Sequence, residues 1–389
     1  MKIAMIGWEY PPFKAGGLAT HCYGLTRSLA DNDVKIDFYM PKTKNNVISD
    51  KKNITIKEIG EVDIFPYDRP ESKELNGSFF DRVYHYNELV VSRLKGNYDL
   101  IHCHDWLTMK AGIQIKEETG IPLVLTIHST EYDRSGWIYP NQWFIDIEKE
   151  GMGKADRIIA VSDFTKKVIV DKYGINPNKI SVVHNAVYPI EEGHKKEIVL
   201  FLGRLTIQKG AEFFLKAAQK VMDYNPDTKF VVAGTGDMLP RLISQAIDLG
   251  ISDRVIFTGR LSEDEVKYIY GISSVYVMPS VSEPFGITAL EAISAGTPTI
   301  ASKTAGFSEA FKNCLKVDFW DTDEMANKII SILRYEPLRK SLSVNGKQEI
   351  DLFTWDNVAK NTLNVYRKVI QSKRSDFYNH QIWGEMIGK

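Results

Sequence analysis

The 389-residue chain has only three cysteines, Cys22, Cys103 and Cys314, odd in number and far apart, which fits neither a disulfide framework nor a paired-cysteine zinc site. A reducing, cytoplasmic setting is the expectation. No run approaches the roughly 18 apolar residues that a membrane-spanning helix needs. The opening MKIAMIGWEY carries a single lysine and few apolar residues before Glu9, too short for a signal-peptide core. An excess of either charge is also missing. Lys plus Arg number 49 and Asp plus Glu 50, a net charge of -1, so no global field draws in nucleic acid or an anionic membrane. Any anionic ligand has to be held by local cations.

What the chain does have is ordinary globular material: 43% hydrophobic, 25% charged and 11% aromatic residues. Its length exceeds what one core serves and predicts two domains. Short β-branched runs alternate with longer amphipathic stretches, the pattern of βα units and parallel sheets. In the first half, strands are expected at Lys2–Ile6, Val34–Tyr39, Asn53–Ile59, Leu100–Cys103, Leu123–Ile127, Arg157–Val161 and Lys179–Val183. The stretch Tyr188–Lys196 breaks the pattern as a linker. A second series follows, with strands at Ile198–Leu202, Lys229–Ala233, Val255–Thr258, Val275–Met278 and Thr297–Ala301. Two such series predict two Rossmann-like, doubly wound α/β domains facing across a cleft, with ligands at the carboxyl ends of the strands. Trp355–Gln371 is expected to be a helix, and the segment beyond it, with Tyr378, His380 and Trp383, a polar and aromatic tail.

The candidate residues sit just after strands. Gly7 to Leu18 contains Lys14, Gly16 and Gly17 before a helix; adjacent glycines there allow close backbone approach and leave amides for a phosphate. The spacing matches neither G-x-G-x-x-G nor G-x-x-x-x-G-K-[ST], so dehydrogenase and P-loop readings lose their main support. Next come His102-Cys103-His104-Asp105-Trp106 and Ile127-His128-Ser129. Histidines at strand ends suit sugar hydroxyls or phosphate oxygens, with metal binding as the rival. The chain has no H-E-x-x-H or C-x-x-C to complete a metal site. For His102 the bland alternative is a hydrogen-bonded core imidazole.

In Gly203-Arg204-Leu205-Thr206-Ile207-Gln208-Lys209-Gly210, Arg204 and Lys209 leave one strand together, with a helix expected to begin near Lys209. Paired cations beside a helix start suit the charge that develops on a departing diphosphate. Glu283-Pro284-Phe285-Gly286-Ile287 opens another helix, and Glu291 lies one turn inside it. Glu283 can then accept hydrogen bonds from a sugar, and Glu291 can hold a ribose diol, while Gly286 offers amides to phosphate. Gly234, in Gly234-Thr235-Gly236-Asp237, marks one more strand-to-helix turn. Asp31-Asn32-Asp33 and Asp321-Thr322-Asp323 spell D-x-D but read as a helix end and a helix cap.

Together these segments resemble the retaining two-domain glycosyltransferases of families 4 and 5, which include glycogen and starch synthases. Lys14-Ala15-Gly16-Gly17-Leu18 is similar to their K-x-G-G-L loop, and His104-Asp105-Trp106 to their H-D-W segment. His128 matches the histidine of T-[VI]-H, Arg204 and Lys209 match G-R-L-x-x-x-K-G, and Glu283 with Glu291 matches E-x7-E. Val183-His184-Asn185-Ala186-Val187 is similar to the family 4 V-x-N-G stretch, with Ala186 in place of glycine.

The resemblance implies a GT-B fold: an acceptor-side domain over 1–190, a nucleotide-sugar domain over 191–364, and a C-terminal helix over about 365–389 crossing back to the first domain. It implies retention, with His128 and Asp105 placing the donor sugar and Glu283, Arg204 and Lys209 completing the catalytic set. Lys14, Gly16, Gly17, Gly234, Phe285, Gly286, Ile287 and Glu291 join Arg204, Lys209 and Glu283 in the expected donor site. The expected donor is ADP-glucose or UDP-glucose, suggested mainly by the Lys14 loop, and the expected acceptor a glucan or other saccharide. No metal or other cofactor is expected, since the cations take that part. A family 4 hexosyltransferase acting on a lipid-linked or small-molecule acceptor is the alternative, and a non-catalytic sugar-binding protein the third. No nucleic acid partner is expected; membrane contact and oligomeric state stay open. The loop Ser129–Trp143, with Tyr132, Trp137, Tyr139 and Trp143, is a candidate aromatic shelf for the acceptor, with packing against its own domain as the alternative.

Overall fold

The β-branched runs form two all-parallel sheets, seen in a computed structural model that describes residues 1–13, 16–43, 47–60 and 78–387, with side chains described through 373. The first sheet contains β1 (Lys2–Ile6), β2 (Lys35–Pro41), β3 (Ile54–Ile59), β4 (Leu100–His104), β5 (Leu123–Ile127), β6 (Arg157–Ala160) and β7 (Ile180–Val182), in the order β3-β2-β1-β4-β5-β6-β7. The second contains β8 (Lys196–Leu202), β9 (Lys229–Ala233), β10 (Val255–Gly259), β11 (Ser273–Met278), β12 (Thr299–Ser302) and β13 (Leu315–Val317), in the order β10-β9-β8-β11-β12-β13. Each order reverses direction after its first strand, between β1 and β4 and between β8 and β11. Such switch points open a crevice at the carboxyl ends of the strands.

The central strands β4, β5 and β11 are buried along their whole length, as expected of strands covered by helices on both faces. The connecting helices carry their own start and stop signals. The helix Phe79–Arg93 begins at a Ser78–Asp81 capping box, and Glu263–Ile272 at a Ser262–Glu265 box. Asp321 caps the helix Thr322–Arg334 by accepting from Glu324 N at 2.9 Å, and Asp31 ends the helix Gly17–Asp31. Both D-x-D segments therefore have local structural roles. β13 was not anticipated; three residues are too short to show a period.

The last helix, Trp355–Ile387, packs on the first domain from its first turn. Trp355, Val358, Ala359, Tyr366 and Val369 share a core with Ile3, Met5, Cys22 and Leu25. The crossing thus begins at Trp355 rather than at about 365, and the helix runs on through the polar and aromatic tail to Ile387. Gly24 permits this close approach, since a Cβ there would lie 2.2 Å from Trp355 Cδ2.

Candidate functional site

Two helix starts face each other across the cleft. Gly17 opens the helix Gly17–Asp31 after β1, with Gly16 as its extended N-cap. Ile287 opens the helix Ile287–Ser294 after β11, capped by Gly286 at φ +110°. A Cβ on Gly17 would stand 3.5 Å from Ile287 Cδ1, while one on Gly16 would meet nothing within 4 Å. Positive helix ends from both domains therefore converge on one space, the arrangement that attracts phosphate. Lys14 lies outside the described residues.

On the second domain, Lys209 ends a 3-10 turn, Ile207–Lys209, and the helix starts at Ala211. The turn is fixed by Gly210 at φ +67°, where a Cβ would lie 2.0 Å from Pro279 O. Lys209 Nζ reaches Glu283 Oε2 at 2.6 Å, and Ser280 Oγ donates to the same oxygen at 3.2 Å. Glu283 is only 8% exposed, so this ion pair is largely withdrawn from water. Arg204 leaves β8 in the same loop. Glu291 accepts from Tyr270 Oη at 3.2 Å on the helix behind Gly286, and Phe285 is buried with its ring stacked on His184. Gly234, at φ +134°, meets a backbone need of its own: a Cβ would lie 2.0 Å from Gly203 O, so it lets the 203–205 and 234–236 loops touch.

On the first domain, Asp105 sits at the end of β4 at φ +55°, an uncommon conformation for a residue with a Cβ. Its Oδ1 accepts from His128 N at 2.6 Å and from Ser129 N at 3.3 Å, which pins the loop after β5 to the end of β4. Burial raises the Asp105 carboxyl to about 7 despite those two amides. Arg134 holds the same loop from the other side, donating to Ser129 O at 3.2 Å while paired with buried Glu148 at 2.5 Å.

Three further imidazoles cluster with that of His128. His104 Nδ1 lies 3.0 Å from His128 Nε2, and the His21 ring lies 4.4 Å from that of His128. His102 follows at 4.4 Å from His104, with Nδ1 on Tyr366 Oη at 2.6 Å and Nε2 on Thr126 Oγ1 at 2.7 Å, so it is a fully bonded core residue. Burial lowers all four: His21 to about 4, His102 to about 3, and His104 and His128 well below the ordinary range. They are neutral at pH 7.

Hydrogen bonds between the domains tie the first domain to the Glu283 loop and to Glu309. Ser282 Oγ donates to Asp133 Oδ1 at 2.6 Å and accepts from Trp137 Nε1 at 3.2 Å. Ser162 Oγ donates to Pro284 O at 2.6 Å, and Glu309 accepts from Asp163 N and Phe164 N at the start of the helix Asp163–Tyr173. Sequence reasoning missed His21, Asp133, Ser162, Ser282 and Glu309. His21 alone left a signal, a histidine on the face of its helix that also carries Leu25 and Leu29. The others have partners more than 100 residues away in sequence.

Of the expected aromatic shelf, Tyr139 is 94% exposed and Trp137 and Trp143 are partly exposed. Trp143 packs against Phe80 at 4.8 Å and Trp137 against Tyr132 at 5.3 Å. The shelf is split between solvent and packing.

Two doubly wound parallel domains meeting at a cleft, each bringing a glycine-capped helix start to it, define the GT-B class of glycosyltransferases. Comparison with known proteins agrees. The model of Glycosyltransferase Family 4 matches residues 15–189, and that of Glycosyl transferases group 1 matches residues 188–349. The chain is 32% identical to an uncharacterized glycosyltransferase of Methanocaldococcus jannaschii, over 94% of this chain and 98% of that one. The chain belongs to this family of glycosyltransferases. It is also 27% identical to a D-inositol 3-phosphate glycosyltransferase of Acidothermus cellulolyticus, over 96% of this chain and 92% of that one. A glycogen synthase of Mycobacterium tuberculosis is likewise 27% identical, with 96% of each chain covered. Among solved structures, the sucrose-phosphate synthase of Thermosynechococcus elongatus superposes with a TM-score of 0.78 at 23% identity, over 95% of this chain and 99% of that one, a likeness of fold. Among the described residues no helix is long and apolar enough to cross a membrane.

Proposed function

We propose that this glycosyltransferase moves glucose, with retention of anomeric configuration and without a metal, from ADP-glucose or UDP-glucose to a glucan or other saccharide. The observation that carries the reading is the largely buried Lys209–Glu283 pair, in the loops that also hold Arg204 and lead into the Ile287 helix start that meets Gly17. In this reading Arg204, Lys209, Lys14 and the Gly16–Gly17 amides take the diphosphate, which gains charge as its bond to the sugar breaks. Glu291 holds the ribose diol. Glu283 accepts from the sugar's hydroxyls, and the Phe285–Gly286–Ile287 backbone approaches the phosphates. His128, fixed by Asp105, places the sugar from the opposite wall. The bond from C1 to the phosphate oxygen breaks, and the bond from C1 to the acceptor oxygen forms on the same face. The acceptor's proton leaves with the diphosphate.

Exposed Tyr139 and half-exposed Trp137 supply a surface on which a sugar ring can stack. A small phosphorylated polyol is the second acceptor reading, favoured by the equal identity to the inositol 3-phosphate enzyme. The test is nucleoside diphosphate release from ADP-, UDP- and GDP-sugars, in the presence of EDTA, with maltooligosaccharide, glycogen or inositol 3-phosphate added, followed by linkage analysis. Release only from GDP-mannose, or only with a lipid acceptor, overturns the glucose reading. Loss of turnover in EDTA overturns the metal-free one.

A further inference from the structure

We propose that His21, His104 and His128 form a three-imidazole site for a zinc-class divalent ion, and that the ion restrains the transferase by holding His128. The first half stands on geometry alone. The second rests on the role given to His128 above.

One potential ligand atom from each ring lies within 4.8 Å of the other two. His104 Nδ1 and His128 Nε2 are already 3.0 Å apart. Two imidazole nitrogens on a tetrahedral zinc ion, each bonded at about 2.0–2.1 Å, stand about 3.3 Å from each other. The pair therefore needs to open by only a few tenths of an ångström. The site has three protein nitrogens and an open fourth position, the ligand set of zinc sites that keep a place for water or substrate. Imidazole ligands favour zinc, copper, nickel and cobalt over magnesium or calcium.

Tautomers support this assignment. His21 Nδ1 lies 2.6 Å from Asn185 Oδ1, and an amide oxygen only accepts, so the proton is on Nδ1 and the Nε2 lone pair is left for another partner. That Nε2 is buried and has no hydrogen-bond partner. A buried ring nitrogen with no partner is costly unless something binds there. An N–H held by an outer carbonyl is the usual support of a metal-binding histidine. His102, the fourth ring, spends both nitrogens on Tyr366 and Thr126 and takes no part.

Protons offer little competition. The three imidazoles are neutral at pH 7, so no proton has to be displaced to bare their lone pairs. Where His104 and His128 now share a hydrogen, one ring switches tautomer and no net proton is released. His21 and His104 are buried and His128 is partly exposed, so an ion reaches the site from the cleft. Once bound, it fixes His128 toward His21 and away from the donor sugar.

The test is titration of the full-length, EDTA-treated protein with cobalt(II), followed by its visible absorption, and with zinc by equilibrium dialysis. One equivalent is expected to bind. His21→Gln should abolish that site, and Asn185→Leu, which removes only the outer acceptor, should weaken it by about 10-fold or more. Thermal melting checks that both variants fold, and His104→Gln serves if His21→Gln does not. Zinc should depress wild-type turnover relative to the metal-free value, and that ratio should return to unity in His21→Gln. No stoichiometric binding by the wild type, or undiminished binding in His21→Gln and His104→Gln, overturns the site. Bound zinc with unchanged turnover overturns the restraint. Cobalt titration decides the site even if none of the donors is turned over, so failure of the proposed function is read separately.

Discussion

Lys209 Nζ and Glu283 Oε2 stand 2.6 Å apart at the floor of the cleft, bringing together residues from the loops after β8 and β11. The pair is mostly shielded from water, with side chains only 20% and 10% exposed, so the ammonium is held in place before a donor arrives. A charge fixed in advance costs no reorganisation as the leaving group becomes anionic. Lys209→Ala should leave the fold intact and reduce kcat/KM by about 100-fold or more, by analogy with the loss of one oxyanion donor. Near-normal turnover would remove Lys209 from the chemistry.

Asp105 should write an acid limb into the pH profile. Its folded-state carboxyl lies at about 7, above its ordinary value, and its ionised form is the stronger acceptor for the His128 and Ser129 amides. Acidification through about pH 7 therefore loosens the His128 loop, and kcat/KM should fall there. Asp105→Asn removes the titration, so its profile should be flat across the same range at a lower level. On stability the sign is opposite: a raised carboxyl contributes stability that is present below its unfolded value near 4 and is lost as pH rises through about 7. A wild-type acid limb that persists in the Asn variant would clear Asp105 of this role.

The Ser282–Asp133 hydrogen bond joins the residue before Glu283 to a fully buried carboxyl of the other domain. Ser282→Ala takes the hydroxyl from Asp133 Oδ1 and the acceptor from Trp137 Nε1. A buried group left unpaired costs about 1–3 kcal/mol. The urea midpoint should fall accordingly, and kcat/KM should fall with it because Glu283 loses a tether. An unchanged midpoint would show that the contact between domains carries little energy.

His102 should make the protein more sensitive to acid. Its folded-state value of about 3 lies below the unfolded 6.5, so its contribution is present above pH 6.5 and is lost as pH falls toward 3. The loss approaches one proton, about 1.4 kcal/mol per pH unit. His102→Gln should flatten the acid side of the unfolding free energy relative to wild type, measured by urea titration at a series of pH values. Parallel curves would show that His102 does not titrate differently in the two states.

The parallel sheets were legible in sequence because a strand covered on both faces must be a continuous apolar run, and Leu123–Ile127 and Lys229–Ala233 appear with the expected bounds. The glycine loops, Arg204, Lys209 and Glu283 could be marked because they follow such strands, where a doubly wound fold places ligands. The 3-10 turn that ends at Lys209 was not legible, since Gly210's left-handed conformation is fixed by Pro279, almost seventy residues on.

By itself, then, the sequence determined the two doubly wound domains and the residues that each presents at its strand ends, because local periodicity and turn chemistry act over a few residues. Tertiary structure alone decided which of them meet. It brought His21 beside His104 and His128, tied Ser282 to Asp133, and brought the last helix onto the first domain at Trp355. Those pairings depend on how separate segments pack, and no short window of sequence carries that distance.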